Sequence, residues 1–145
     1  MIVPPPGCLV GGDVLELDVA LEAGARVLCT TPGAQKWYRS GGAAARARTR
    51  VVLGQGAALE WLPQPSIVYD EARVDQSIAF ELAADARTLG WEALVLGRAA
   101  MGERFSRGAL RQSVSLAIGG AVRWAEHAVA DAGARLFASP LGWGG

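Results

Sequence analysis

Residues 14–22 read VLELDVALE. Successive side chains of an extended chain point to opposite faces. Leu15, Leu17, Val19 and Leu21 therefore share one face, and Glu16, Asp18 and Glu22 the other. That alternation is the pattern of a half-buried strand. Ala23-Gly24 turns the chain, and residues 26–31 read as a second strand. The same punctuation recurs: a Gly or Asp, then Ala, then Leu two to three residues on. It appears at Gly24-Ala25 with Leu28, Gly56-Ala57 with Leu59, Asp85-Ala86 with Leu89, and Gly133-Ala134 with Leu136. The irregular spacing does not fit a strict solenoid. It predicts stacked β layers in which similar hairpins succeed one another.

Working outward, Arg46, Arg48 and Arg50 follow Gly41-Gly42 at period two. As a strand they share a face opposite Ala45, Ala47 and Thr49. Gly54-Gln55-Gly56 turns again, and residues 57–62 run to Pro63. Residues 73–82 alternate cleanly, with Val74, Ile78, Phe80 and Leu82 opposed to Arg73, Asp75 and Glu81. Residues 89–96 are apolar apart from Glu92 and fit a buried strand or a short helix. Residues 97–108 form a Gly- and Arg-rich loop. Residues 113–118 alternate once more, with Val114, Leu116 and Ile118 inward, and residues 121–130 fit strand or helix. The stretch through Gly12 and the tail from Ser139 read as loop.

The chain has the length of one domain, 145 residues. Its hydrophobic share is high at 51% and its charged share low at 19%, a hint that a partner covers part of the surface. Formal net charge is +0, so no global field steers it to nucleic acid or membrane. Charge is nonetheless segregated. Residues 26–50 carry basic side chains and no acid, while the charged residues between 60 and 92 are mostly acidic. The two segments are expected to neutralise each other in the fold or to face different partners. Cys8 and Cys29 are expected to be reduced in a cytoplasmic protein. No signal peptide or membrane span is read.

Chemistry is sparse. His127 is the single His, and neither Cys lies near it in sequence, so no short metal-ligand spacing exists. There is no Gly-x-Ser-x-Gly elbow, and Lys36 stands in a strand-end loop without a visible activator. The acids between Glu60 and Glu92 alternate with apolar residues like a solvated strand face. A small acid/base enzyme using Glu60 and Glu92 stays open as a minor reading. The arginines near Trp37 and Tyr38 could face nucleic acid, but zero net charge favours a solvated strand face. The loop arginines Arg98, Arg104 and Arg107 fit no phosphate loop and suit a protein partner better. Of Trp61, Trp91 and Trp124, two are expected to be core.

Two aromatic-, Pro- and charge-dense segments are the most distinctive: residues 30–40, TTPGAQKWYRS, and residues 59–70, LEWLPQPSIVYD. With residues 5–13, PPGCLVGGD, and residues 89–103, LGWEALVLGRAAMGE, they string together as in the UreD (UreH) urease accessory family. A fainter match continues through Trp124 and Glu126 to Ser139-Pro140. The chain thus resembles a single, partial UreD-like β domain over residues 1–145, lacking the family's opening strands and closing segment. It departs from the family pattern at three positions. Pro4 replaces a His, Cys8 replaces the second Gly of His-Pro-Pro-Gly-Gly, and Glu71 stands where Gly is usual.

The resemblance implies a mainly β fold, with stacked antiparallel or β-helix-like layers and few short helices. It implies no enzyme but a maturation scaffold, a metallochaperone component that binds apo-urease and UreF and, through UreF, the GTPase UreG. Nickel would be transient cargo, with no tightly bound cofactor, on its way to the urease active site. Carried over by position, Asp13, Glu60, Asp70, Glu92, Glu103 and Glu126 are candidates for nickel passage or buried polar structure. Lys36, Tyr38, Arg39, Trp61, Gln64 and Arg98 are candidates for partner contact or structure. Exchangeable oxygen ligands suit an ion that must leave. The bland alternatives are that Asp13 caps a turn and that Glu60 and Glu92 are buried partners of Arg. At whole-protein level the alternative is a generic β-rich interaction module without a nickel role.

Overall fold

The computed structural model describes residues 8–134. Eleven strands follow in chain order: β1 (Val14–Leu21), β2 (Arg26–Cys29), β3 (Gln35–Trp37), β4 (Ala45–Leu53), β5 (Ala58–Trp61), β6 (Ser66–Val68), β7 (Arg73–Leu82), β8 (Arg87–Gly90), β9 (Leu94–Leu96), β10 (Ala109–Ile118) and β11 (Ala121–Asp131). The only helical element among the described residues is a 3-10 turn, Ala99–Met101. The tail from Ser139 and the last copy of the repeat's Leu, Leu136, lie outside the described residues, as do the first seven positions.

Three sheets result, in the orders β1-β4-β7-β10-β11, β2-β5-β8 and β3-β6-β9. Every third strand stacks on its predecessor in parallel. The chain therefore coils, laying one strand into each sheet per turn of roughly 30 residues, within the range of solenoid repeats. The expected hairpins are not what the repeat encodes. Only β10 and β11 pair antiparallel; all other neighbours are parallel rungs. Residues 121–130, ambiguous in sequence, belong to this terminal hairpin.

The Gly/Asp-Ala punctuation marks one corner of the coil. Ala58 N–H donates to Ala25 carbonyl and Arg87 N–H to Ala57 carbonyl, so successive corners hang on one another. Asp85 continues the stack through its side chain, accepting from Gly56 N–H at 3.0 Å. The Leu of the repeat is not equivalent from rung to rung. Leu59 sits beside Val27 and Thr88, whereas Leu28 and Leu89 flank Glu60. Leu59 is buried while Leu28 and Leu89 face solvent.

The alternating strands behave as read. Leu21, Leu53, Leu82 and Ile118 form one inward ladder across four strands, and Val19, Val51, Phe80 and Leu116 another. Core gathers on two sides of the coil. Leu21, Val51, Leu53, Leu59, Trp61 and Leu82 fill one, and Leu9, Trp37, Val68, Val74, Phe105 and Leu110 the other. On the outer face, register sets Arg46 beside Asp75 and Arg48 beside Glu16, with ion pairs of 3.6 Å each. Arg50 reaches Glu81 with two 2.8 Å hydrogen bonds. The segregated charges of the sequence thus neutralise one another across β1, β4 and β7.

Residues 89–96 form neither one buried strand nor a helix. The run turns a corner between β8 and β9, leaving Leu89 65% and Trp91 61% exposed. Trp124 is also exposed, so of the three tryptophans expected to contribute two to the core, only Trp61 is buried. The reason is topological. Leu89 faces outward beside Glu60, Trp91 lies in the corner after β8, the last strand of its sheet among the described residues, and Trp124 is on β11, the edge strand of sheet one.

Candidate functional site: a polar row inside the coil

The inward row Leu15, Ala47, Gln76, Gln112 turns polar as it climbs sheet one. Gln76 is buried between Val74 and Ile78. Its Nε2 donates to Glu92 Oε2 at 3.3 Å, and Trp61 Nε1 donates to Glu92 Oε1 at 3.0 Å. Gln112 Nε2 lies 3.5 Å from Gln76 Oε1, extending the row toward the open end. Burial pushes the Glu92 carboxyl above its ordinary value; the Trp61 and Gln76 hydrogen bonds offset part of that rise.

Glu92 borders three spaces. Beneath it is an interior cavity of about 200 Å³, itself partly open to solvent, with Trp37, Ser66 and Gln76 in its wall. Above it an open groove of about 430 Å³ runs between Trp91 and Trp124. A third opening lies toward Leu94 and Gln112. The Nε atoms of Gln35 and Trp37 are buried without a hydrogen-bond partner among the described residues, and both residues line the interior cavity. A carboxylate that titrates high, fixed by two neutral donors and open on several sides, can take up and release a proton or a cation.

The other candidate carboxylates are placed elsewhere. Asp13 caps the turn before β1, accepting from Val10 N–H at 2.9 Å. Glu60 lies exposed on the outer face of β5 and makes no ion pair among the described residues. The expectation that Glu60 and Glu92 are buried partners of Arg therefore fails. Glu60 is not buried, and the partners of Glu92 are Trp61 and Gln76. Nor do the two share a cavity, as an acid/base pair would need. Glu126, on exposed β11, shares the open groove with Glu92. Among the described residues no three His, Cys, Asp or Glu side chains come together as a metal-binding group.

Asp70 and Glu103 meet at the corner that leads out of sheet three. Asp70 Oδ1 accepts from Ser106 N–H, Ser106 hydroxyl and Arg107 N–H at 2.8, 3.1 and 2.8 Å. Burial alone would raise its pKa, but these bonds outweigh burial and lower it to about 2. Glu103 accepts from Asp70 N–H at 3.1 Å and pairs with Arg98. The Arg98 hydrogen bonds chiefly hold the Glu103 carboxyl below its ordinary value. Arg98 also lies 4.2 Å over the Tyr69 ring, which Tyr38 meets edge-on at 4.9 Å. Arg107 bridges Asp70 and Glu71. Two of the three loop arginines expected to face a partner are thus paired with the chain's own acids, and both Arg104 and the paired Arg107 stay exposed.

Of the remaining candidates, Trp61 is core and holds Glu92. Lys36 is inside β3 rather than in a loop. Arg39 is exposed, and Gln64 N–H donates to Thr31 Oγ1 at 3.0 Å. Sequence reading missed Gln76, Gln112 and Ser106. The first two had a signal: each is a polar residue at an inward position of an otherwise apolar alternation.

Backbone geometry explains two departures from the resemblance. Cys8 and Glu71 are the two non-Gly residues with positive φ among those described, at 63° and 65°. These are the left-handed conformations that glycine adopts without steric cost. Gly thus suits both positions, and this chain holds Cys and Glu there instead.

By its fold the protein is a parallel β-solenoid with an apolar core at each side and a polar row through its middle. The family model of the UreD urease accessory protein matches residues 1–145, and the chain belongs to that family. The urease accessory protein UreD of Leptothrix cholodnii is 46% identical over all of this chain and 51% of its own length. That of an Azoarcus species is 43% identical over all of the chain and 51% of its length. That of Pseudomonas putida is 50% identical over 79% of the chain and 42% of its length. The chain spans about half the length of these curated relatives.

Proposed function

We propose that this chain acts in urease maturation as a non-enzymatic scaffold. In this reading it binds apo-urease and UreF, reaches the GTPase UreG through UreF, and lets nickel pass along its interior at Glu92. Membership of a family named for urease accessory proteins supports the maturation role. The observation that carries the nickel route is the position of Glu92 between the interior cavity and the open groove. Oxygen ligands that are few and separated hold a hard or borderline divalent ion weakly enough to release it. Glu126, on the same groove, is the next station outward. A raised carboxyl pKa means that nickel would displace a proton there, so uptake strengthens as pH rises.

The dispersal of Asp13, Asp70 and Glu103 into turn and corner duties favours a second reading, an interaction module with no nickel role. One experiment separates the two. The chain is co-expressed with UreF, UreG and apo-urease from the same source, and co-purification, urease nickel content and activity are measured. Under the first reading, Glu92→Gln keeps the complex but lowers urease nickel severalfold. Unchanged nickel with intact binding would leave the module reading. Failure of folded chain to bind any partner would reject the accessory role for it.

A further inference from the structure

The outer face of sheet two differs in one respect from that of sheet one. On β1, β4 and β7, register sets each arginine of the Arg46, Arg48, Arg50 stripe near an acid. On β2, β5 and β8 the same parallel register gives Arg26, Ala58, Arg87 in one row and Leu28, Glu60, Leu89 in the next on that face. Arg26 and Arg87 make no ion pair among the described residues, and both are exposed. Strands lie about 4.8 Å apart, which sets the two arginines about 10 Å apart across a floor of one methyl group. Leu28 is 52% and Leu89 65% exposed. These residues line a shallow concavity of about 460 Å³.

We propose that this face docks an acidic segment of a partner protein, with a carboxylate held between Arg26 and Arg87 and apolar side chains covering Leu28 and Leu89. Charge complementarity selects the acid, since two fork-shaped guanidinium groups without acids of their own match a carboxylate with paired hydrogen bonds. The two leucines select a protein segment over a free polyanion, because only apolar side chains recover the surface they leave in water. Glu60, between the leucines, accepts a backbone N–H or another donor of the same segment, which fixes orientation. The proposal does not depend on nickel passage or on the partners named above.

The test uses the whole chain and fluorescence anisotropy of a labelled peptide of repeated Leu-Asp-Glu-Leu, with a Leu-Lys-Lys-Leu peptide of equal length as comparison. The acidic peptide is expected to saturate, to weaken with added salt, and to lose at least about tenfold in affinity in the Arg26→Ala/Arg87→Ala variant. Arg48→Ala, on the self-neutralised face, should leave binding unchanged. Leu28→Ser/Leu89→Ser, which keeps every charge, should weaken it as well and supplies a second readout if the arginine variant folds poorly. Four results would each overturn the proposal: no saturable binding, equal binding of the basic peptide, no loss in either double variant, or full displacement by low-millimolar inorganic phosphate. The last would make the arginine pair a simple anion site.

Discussion

Trp61 joins the two tasks of this fold in one side chain. Its ring is buried against Phe80, edge-on with centroids 6.4 Å apart, while its Nε1 fixes Glu92. Trp61→Ala should cost about 3–5 kcal/mol by cavity formation, measured as a shift in the denaturation midpoint; an unchanged midpoint would reject the burial argument. Glu71 carries backbone strain instead. Glu71→Gly should change stability by less than about 1 kcal/mol, because relief at positive φ is offset by added unfolded-chain entropy and a lost Arg107 pair. Glu71→Val should cost about 1–2 kcal/mol more than the Gly variant, since a β-branched residue tolerates that φ poorly. Thermal melts of the two side by side decide the matter. Gly108 is stricter. With φ at 120°, an added Cβ there would fall 2.2 Å from the Ala72 carbonyl oxygen.

At the scale of elements, the corner after β6 and the last strands of the smaller sheets behave differently. Asp70 ties the Ser106-Arg107 backbone to the end of β6, and charge-assisted hydrogen bonds of this kind contribute about 1.5–3 kcal/mol. Its folded pKa, about 2, lies below the ordinary 3.8. The group therefore adds stability that is fully present above the unfolded value and is lost as pH falls through about 2. Glu92 has the opposite sign: its folded pKa is raised, so the chain loses stability as pH rises from the ordinary carboxyl value through the raised one. Urea titrations across acid pH should show Asp70→Asn flattening the acid limb and Glu92→Gln removing the decline at higher pH. Sheet position sets local stability too. β4, β5 and β7 are flanked by paired strands, whereas β8 and β9 are edges among the described residues. Hydrogen exchange should be slowest in β4 and β7 and much faster in β8 and β9; equal protection throughout would mean that the exposed rung is covered in solution.

For the molecule as a whole, the sequence by itself determined the alternating strands β1, β4 and β7 and which side of each faces inward, while β3 read as loop and β9 and β11 stayed open between strand and helix. Alternation over residues 14–22, 45–50 and 73–82 is a local property, fixed by two-residue periodicity and the transfer of leucine, valine and isoleucine out of water. The Gly/Asp-Ala punctuation likewise marked real corners. Parallel or antiparallel pairing was not legible, because a corner and a hairpin turn use the same residues and differ only in where the next strand lands. The site followed the same division. Glu92 and Trp61 were picked out as residues, but their meeting with Gln76 joins positions that only the coil brings together. The exposure of Trp91 and Trp124 belongs to tertiary structure as well, since an apolar side chain is core only where another element packs upon it. The register that neutralises Arg46, Arg48 and Arg50 while leaving Arg26 and Arg87 without acids was decided there too. Which charges end up side by side depends on contacts about thirty residues apart along the chain, a distance that no local pattern encodes.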